Sequence, residues 1–263
     1  HAVSQLFVVD AAGGAPRNLT PPNFRGHVSW AGWRDATTVA YLSEEGVWNT
    51  LATDSAQGGQ RRVLLSGRDS GLVFDTLSAS ADGKRWAMLG QTAGSPPDVY
   101  AWDGTAAPRR LSELNPWLAQ RTLGRQGMIR YKARDGQEIE GILVHPVPEP
   151  AGQKSPLIVI VHGGPEGRYA DGWVTRYSEP AQVLAGRSYL VFLPNYRAST
   201  GYGLEFAWAG YGDPAGKEFD DIADGIDFLI KQGLADPDRV GLTGGSYGGY
   251  AAAWFATWYT RYV

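Results

Sequence analysis

Hydrophobic and polar positions fall into two textures along the chain. Residues 1 to about 114 carry short alternating runs, rich in Gly, Thr and Trp, with no helical period. Alternation with period two is the mark of strands with one face on a core. A unit recurs within this stretch. Gln5 to Asp10 is followed by a Gly-Ala-Pro turn and Arg17-Asn18-Leu19-Thr20. Thr50 to Asp54 is followed by Gly58-Gly59 and Arg62 to Ser66, and Asp98 to Asp103 by a turn and Arg110-Leu111-Ser112. Each unit is a strand ending in Asp, a small-residue turn, and a strand ending in a hydroxyl. The steps from Asp10 to Asp54 and from Asp54 to Asp103 are 44 and 49 residues. That is near the length of one four-stranded propeller blade. Trp30 to Trp33 with Val39 to Leu42, and the pair around Asp82-Gly83, supply further strands. The pattern predicts two and a half blades of a β-propeller, with earlier blades expected upstream. The alternative is an irregular β-sandwich.

Residues 115–126 read as a linker, and a different texture follows. Met128 to Ala133 alternates, Asp135-Gly136 turns, and Glu138 to His145 returns as a second strand. Pro156 to Val161 and Tyr189 to Pro194 are continuous apolar runs, as in strands buried on both faces. Gln182 to Ala185 belongs to a short helix. Phe219, Ile222, Ala223, Ile226, Leu229 and Ile230 fall at helical spacing, and Gly233 closes that helix. Its acidic residues, Glu218, Asp220, Asp221, Asp224 and Asp227, lie mostly away from the apolar stripe. They read as a solvated face rather than a metal or acid cluster.

Arg239 to Thr243 is a fifth strand, and Ala251 to Ala256 a helix. Between them runs Gly244-Gly245-Ser246-Tyr247-Gly248, a Gly-x-Ser-x-Gly core. Strand, tight turn with a serine at its tip, then helix is a nucleophile elbow of the α/β-hydrolase fold, where the nucleophile also follows the fifth strand. The serine of so sharp a turn is strained, and side chains on its neighbours would collide across it. A dinucleotide loop fails on spacing, because the third position from Gly244 is Ser246, and the Gly-Lys-Ser/Thr of a phosphate loop is absent. The fold expected is a partial α/β-hydrolase domain with a mostly parallel sheet over residues 127–263, preceded by the last blades of a propeller.

Composition narrows the partners. Of 263 residues, 43% are hydrophobic and 19% charged, so a real core can be buried. A net charge of −3 argues against nucleic acid or an anionic membrane. No apolar run approaches the ~18 residues of a membrane span. There is no cysteine, which excludes disulfides, cysteine nucleophiles and thiolate metal sites. His1, His27, His145 and His162 lack metal spacing. Neither a metal nor a cofactor is implied. The chain starts with His1 and shows no leader, so an upstream part is expected to be missing. Location leans to the cytoplasm, and oligomeric state is left open.

Acyl transfer by a serine needs an activated hydroxyl, two oxyanion donors, and a base held by a carboxylate. Ser246 is the hydroxyl. The backbone N–H of Tyr247 is one donor. The other is expected in His162-Gly163-Gly164-Pro165 after the third strand, with Gly164 assigned; the alternative is an ordinary strand-to-helix turn. His162 reads as a structural tie for that loop rather than as the base. In this fold the acid and the His follow the serine, but residues 247–263 contain no Asp, Glu or His. The triad Asp and His are therefore expected beyond Val263.

These residues resemble the prolyl oligopeptidase family of serine peptidases. The likeness rests on the repeats, the His162 to Pro165 loop, Pro194 to Arg197 with Ser199 to Gly203, Asp236 to Arg239, and Gly244 to Tyr250. It is most similar to the acylaminoacyl-peptidase and dipeptidyl-peptidase branches. The resemblance implies a propeller capping an α/β-hydrolase, which restricts substrates to short peptides, with Ser246 as nucleophile and Tyr247 and Gly164 as the oxyanion hole. A carboxylesterase, or a non-catalytic propeller-bearing binding protein, are the other readings.

Overall fold

The computed structural model describes residues 3–21, 23–150 and 152–263. The chain divides into two compact units, residues 1–116 with 200–204, and residues 117–199 with 205–263. Among the described residues no helix is long and apolar enough to cross a membrane.

The first unit is antiparallel. A small pair, β1 (Phe7–Val8) and β2 (Arg17–Asn18), is followed by a four-stranded meander of β3 (His27–Trp33), β4 (Thr38–Glu45), β5 (Trp48–Ser55) and β6 (Arg62–Ser66). A one-turn helix, α1 (Gly67–Ser70), follows, capped by the Ser66 hydroxyl. A second meander then runs through β7 (Val73–Ala79), β8 (Trp86–Thr92), β9 (Ser95–Trp102) and β10 (Arg109–Arg110). Alternation along β4 explains the stacking. Ala40 and Leu42 join Leu51, Phe74, Trp86, Met88 and Trp102 in a core shared by the two meanders. Val39 and Tyr41 point the other way and pack with Leu6, Leu19 and Ala52 under the β1–β2 pair. The first meander is thus covered on both faces.

The recurring Asp has a local cause. Asp10 Oδ1 accepts from Ala12 N at 2.9 Å, and Asp103 Oδ1 accepts from Thr105 N at 3.0 Å. Each carboxylate closes the turn after its strand. At Asp54 the turn is closed one residue later, where Ser55 Oγ accepts from Gln57 N at 3.1 Å.

A 3₁₀ turn at Pro116–Gln120 begins at the last residue of the first unit's main stretch and leads into the second. One five-stranded sheet follows, made of β11 (Gln126–Lys132), β12 (Glu138–Val144), β13 (Ser155–Val161), β14 (Leu190–Asn195) and β15 (Ala235–Gly244), in the order β11-β12-β14-β13-β15. The helices are α2 (Ala181–Ala185), α3 (Leu204–Trp208), α4 (Lys217–Lys231) and α5 (Tyr247–Thr257). The expectation of a mostly parallel sheet is corrected. The pairs β11–β12 and β12–β14 are antiparallel, and only β14–β13 and β13–β15 are parallel. The turn at Asp135-Gly136 makes a hairpin of the first two strands, so β12 meets the parallel block running against it.

Helix α4 buries Phe219, Ile222, Ala223, Ile226 and Leu229 completely. Gly225 belongs to the same packed face, since a Cβ there would lie 2.6 Å from the Phe192 ring. The solvated-face reading of its acids is also corrected. Glu218 and Asp221 are 1% and 0% exposed. They sit three apart, one helical turn, on a side of α4 that faces protein rather than water. Asp224 and Asp220 instead pair with Arg134, and Asp227 accepts from Tyr262 Oη at 2.8 Å.

Candidate active site

Two parallel strands that end level bring their following loops together. Strands β13 and β15 are adjacent and parallel, and Val161 pairs with Gly244 at their last residues. The loop His162 to Pro165 and the turn Gly245 to Tyr247 therefore leave the carboxyl edge of the sheet side by side. In open α/β sheets that edge is where ligands bind.

The turn has the strain its sequence foretold. Ser246 sits at φ 54°, ψ −118°, a region that non-glycine residues occupy only when their surroundings hold them there. Its neighbours must be bare. A Cβ on Gly244 or on Gly248 would run into the Val161 carbonyl oxygen, and one on Gly244 would also lie 2.8 Å from the Gly248 Cα. Helix α5 begins at Tyr247, directly behind the exposed serine. Its amino end places the positive end of the helix dipole at Ser246.

Gly163 closes the site from the other side, a contact that sequence reasoning missed. A Cβ there would stand 3.2 Å from Ser246 Cβ and 3.8 Å from Ser246 Oγ. Gly164 follows at φ +131°, a conformation open essentially to glycine alone. The backbone N–H groups of Tyr247 and Gly164 have no acceptor among the described residues. Gly248 N, by contrast, is spent on Gly245 O at 2.9 Å.

His162 is held rather than free. It is 5% exposed and its ring stacks on Tyr196, with centroids 4.4 Å apart. Nδ1 lies 3.0 Å from Gly163 O, and Nε2 lies 2.9 Å from Ser199 Oγ. The carbonyl can only accept and so assigns the proton to Nδ1, and the single Ser199 hydroxyl proton has two acceptors in reach, His162 Nε2 and, at 2.6 Å, Tyr196 O. Tyr196 Oη also donates to His162 O at 2.7 Å. Burial pushes the imidazole down to about 4, so it is neutral near pH 7.

Behind that loop lies a buried ion pair. Arg197 Nε donates to both Asp221 oxygens, at 3.1 and 2.9 Å, and Arg197 N donates to Asp221 Oδ2 at 2.9 Å. Arg197 Nη1 and Nη2 reach on to Asp135, at 2.5 and 3.1 Å. Burial lifts the Asp221 carboxyl to about 6, and the Arg197 bonds hold it back from rising further. The pair pins the segment 195–199 after β14, and that segment carries Tyr196 and Ser199 onto His162.

Glu218 serves the elbow in the same way. Its Oε1 accepts from Tyr247 Oη at 2.7 Å and from Ala215 N at 2.6 Å. Burial, and then the Glu218 bond, raise the Tyr247 hydroxyl above its ordinary range. It therefore remains a donor to the carboxylate. The sequence did hold a signal for Glu218 and Asp221. With Gly225 they fall at i, i+3 and i+7, flush against the apolar stripe, whereas Asp220, Asp224 and Asp227 run along the other side. Among the described residues no group of His, Asp and Glu could hold a metal ion.

Residues 175–262 match the family model of the prolyl oligopeptidase family. The chain is 32% identical over 259 residues to dipeptidyl aminopeptidase BIII of Pseudoxanthomonas mexicana, covering 94% of this chain and 36% of that protein. It is also similar to the solved structure of uncomplexed Pyrococcus horikoshii acylaminoacyl peptidase, with TM-score 0.81 and 28% identity over 99% of this chain and 39% of that one. An acylaminoacyl peptidase in complex with Z-Gly-Gly-Phe-chloromethyl ketone gives TM-score 0.77 and 29% identity, over 94% and 37% of the two chains. The chain thus spans little more than a third of the length of these relatives.

Proposed function

This chain belongs to the prolyl oligopeptidase family, and from that premise we propose that the protein is a serine peptidase acting on short peptides through an acyl-enzyme at Ser246. One observation carries the reading. The strained Ser246 lies against Gly163, with the N–H groups of Tyr247 and Gly164 unspent beside it. Those parts fit acyl transfer in order. Ser246 Oγ attacks the scissile carbonyl carbon while its proton passes to a base. The carbonyl oxygen becomes an oxyanion and is received by Tyr247 N–H and Gly164 N–H. Collapse of the adduct expels the amine, which takes the proton, and water then hydrolyses the ester at Ser246. Preorganised donors of this kind are each worth about a hundredfold or more in rate.

The base is not His162, whose two ring nitrogens are already engaged in a buried cluster. In this reading the His and its carboxylate partner lie beyond Val263. The two stacked meanders of the first unit are read as blades of a β-propeller, which restricts substrates to short peptides.

A fluorophosphonate probe on the full-length protein tests the nucleophile. Labelling is expected on the peptide containing Ser246 and not in Ser246→Ala. Peptides with an acylated amino end, anilides of free dipeptides, and simple esters then separate the acylaminoacyl, dipeptidyl and esterase alternatives. Turnover of esters alone would replace the peptidase reading. A protein that neither labels nor turns over any of them would be a binding protein.

A further inference from the structure

Ser246 needs more than its glycines. A backbone held at φ 54°, ψ −118° persists only where neighbouring contacts over-determine it. The peptide from Ser246 to Tyr247 also carries the N–H read above as an oxyanion donor. Its orientation is therefore set in part by where the Tyr247 side chain is tied. That side chain is tied at its far end. Tyr247 Oη donates to Glu218 Oε1 at 2.7 Å, and the ring lies 5.6 Å from both Phe219 and Tyr250, edge to face in each case.

Glu218 is unusual for a residue in the first turn of a helix. It is 1% exposed. Its Oε1 also takes the Ala215 N–H, fixing the loop before α4 where Ala215 itself has φ 63°. Its Oε2 is buried with no hydrogen-bond partner among the described residues. A carboxylate that served only to close the loop would cost less at the surface, with water on its second oxygen. Its burial places it against the elbow.

We propose that Glu218 is a positioning residue for acyl transfer: by holding Tyr247 Oη it fixes the Tyr247 N–H in the orientation that receives the oxyanion. The proposal rests on the reading of Ser246 as the nucleophile. Glu218 does not touch the substrate. Its effect should fall on the transition state, which alone carries the full oxyanion, and not on ground-state binding.

The test is a double-mutant cycle in the full-length protein, with Glu218→Met, Tyr247→Phe and the pair combined. Glu218→Gln is the conservative control, because its amide oxygen can still accept from both donors. Steady-state kinetics on whichever peptide substrate is turned over, and the thermal midpoint, are measured for each. Glu218→Met and Tyr247→Phe are each expected to lower kcat about tenfold at nearly constant KM. The combined variant should be no slower than the worse single one, and Glu218→Gln should recover most of the rate. If Glu218→Met does not fold, Tyr247→Phe against wild type decides alone, since it leaves the Ala215 contact in place. Folded variants with wild-type kcat, or effects that simply multiply, would overturn the role of Glu218. A wild-type protein that takes no fluorophosphonate at Ser246 would overturn the nucleophile reading, and the proposal with it.

Discussion

The two units spend their polar groups differently. In the first, two of the three carboxylates that end the repeated strands close turns two residues away, Asp10 for Ala12 and Asp103 for Thr105. In the second, the groups around the serine bind across long stretches of chain. Arg197 reaches Asp221 and Asp135, Tyr247 reaches Glu218, and His162 reaches Ser199. Local bonds build a repeat that can be copied, since each needs only its own neighbours. Distant bonds fix one geometry once, and they converge on Ser246. From one helix, Glu218 holds the elbow and Asp221 holds the segment that backs the His162 loop.

This contrast can be broken from its strong end first. Gly248→Ala puts a methyl group into the Val161 carbonyl. The elbow must then shift, and peptidase activity is expected to fall by more than about a hundredfold. Turnover assays on purified, folded protein check this.

Arg197→Met comes next. It leaves Asp221 buried and unpaired, which costs about 3–5 kcal/mol in comparable cases. Urea denaturation should show the loss. A change near zero would mean that the distant clamp is not structural.

His162 sharpens the comparison through pH. Its folded value is depressed from 6.5 to about 4 by burial. The unfolded chain therefore binds a proton that the folded chain refuses. The contribution is fully present above about 6.5 and is lost as pH falls toward about 4, at up to ~1.4 kcal/mol per pH unit. The difference in denaturation midpoint between wild type and His162→Asn should accordingly shrink as pH falls through that window. A difference that stays constant would show that His162 titrates as an ordinary exposed histidine.

The smallest effect belongs to the first unit. Asp103→Ala removes an exposed turn closure and should barely move the midpoint, with no change in kcat. A drop rivalling that of Arg197→Met would erase the contrast between local and distant bonds.

The same contrast explains what could be read from the sequence. Local rules write themselves into spacing. The Asp-to-Asp repeat, the bare glycines around Ser246 and the five strands before it follow from turns and periodicity. The distant partners leave fainter marks. Glu218 and Asp221 look like helix-surface acids until their three-residue offset is set beside the apolar stripe. Nothing in the sequence says that Gly163, one residue before the assigned donor, is the glycine lying against the serine. The parallel count failed because a turn such as Asp135-Gly136 fixes only its own hairpin. That β12 then lies antiparallel to β14 depends on strand order.

On the proposed function, the loops after β13 and β15 together form an oxyanion site at Ser246. A crystal structure of the phosphonylated full-length protein tests it most directly. Phosphorus is expected bonded to Ser246 Oγ, with one phosphonyl oxygen within about 2.7–3.1 Å of both Tyr247 N and Gly164 N. A phosphonyl oxygen turned away from both nitrogens, or an adduct on another residue, would contradict it.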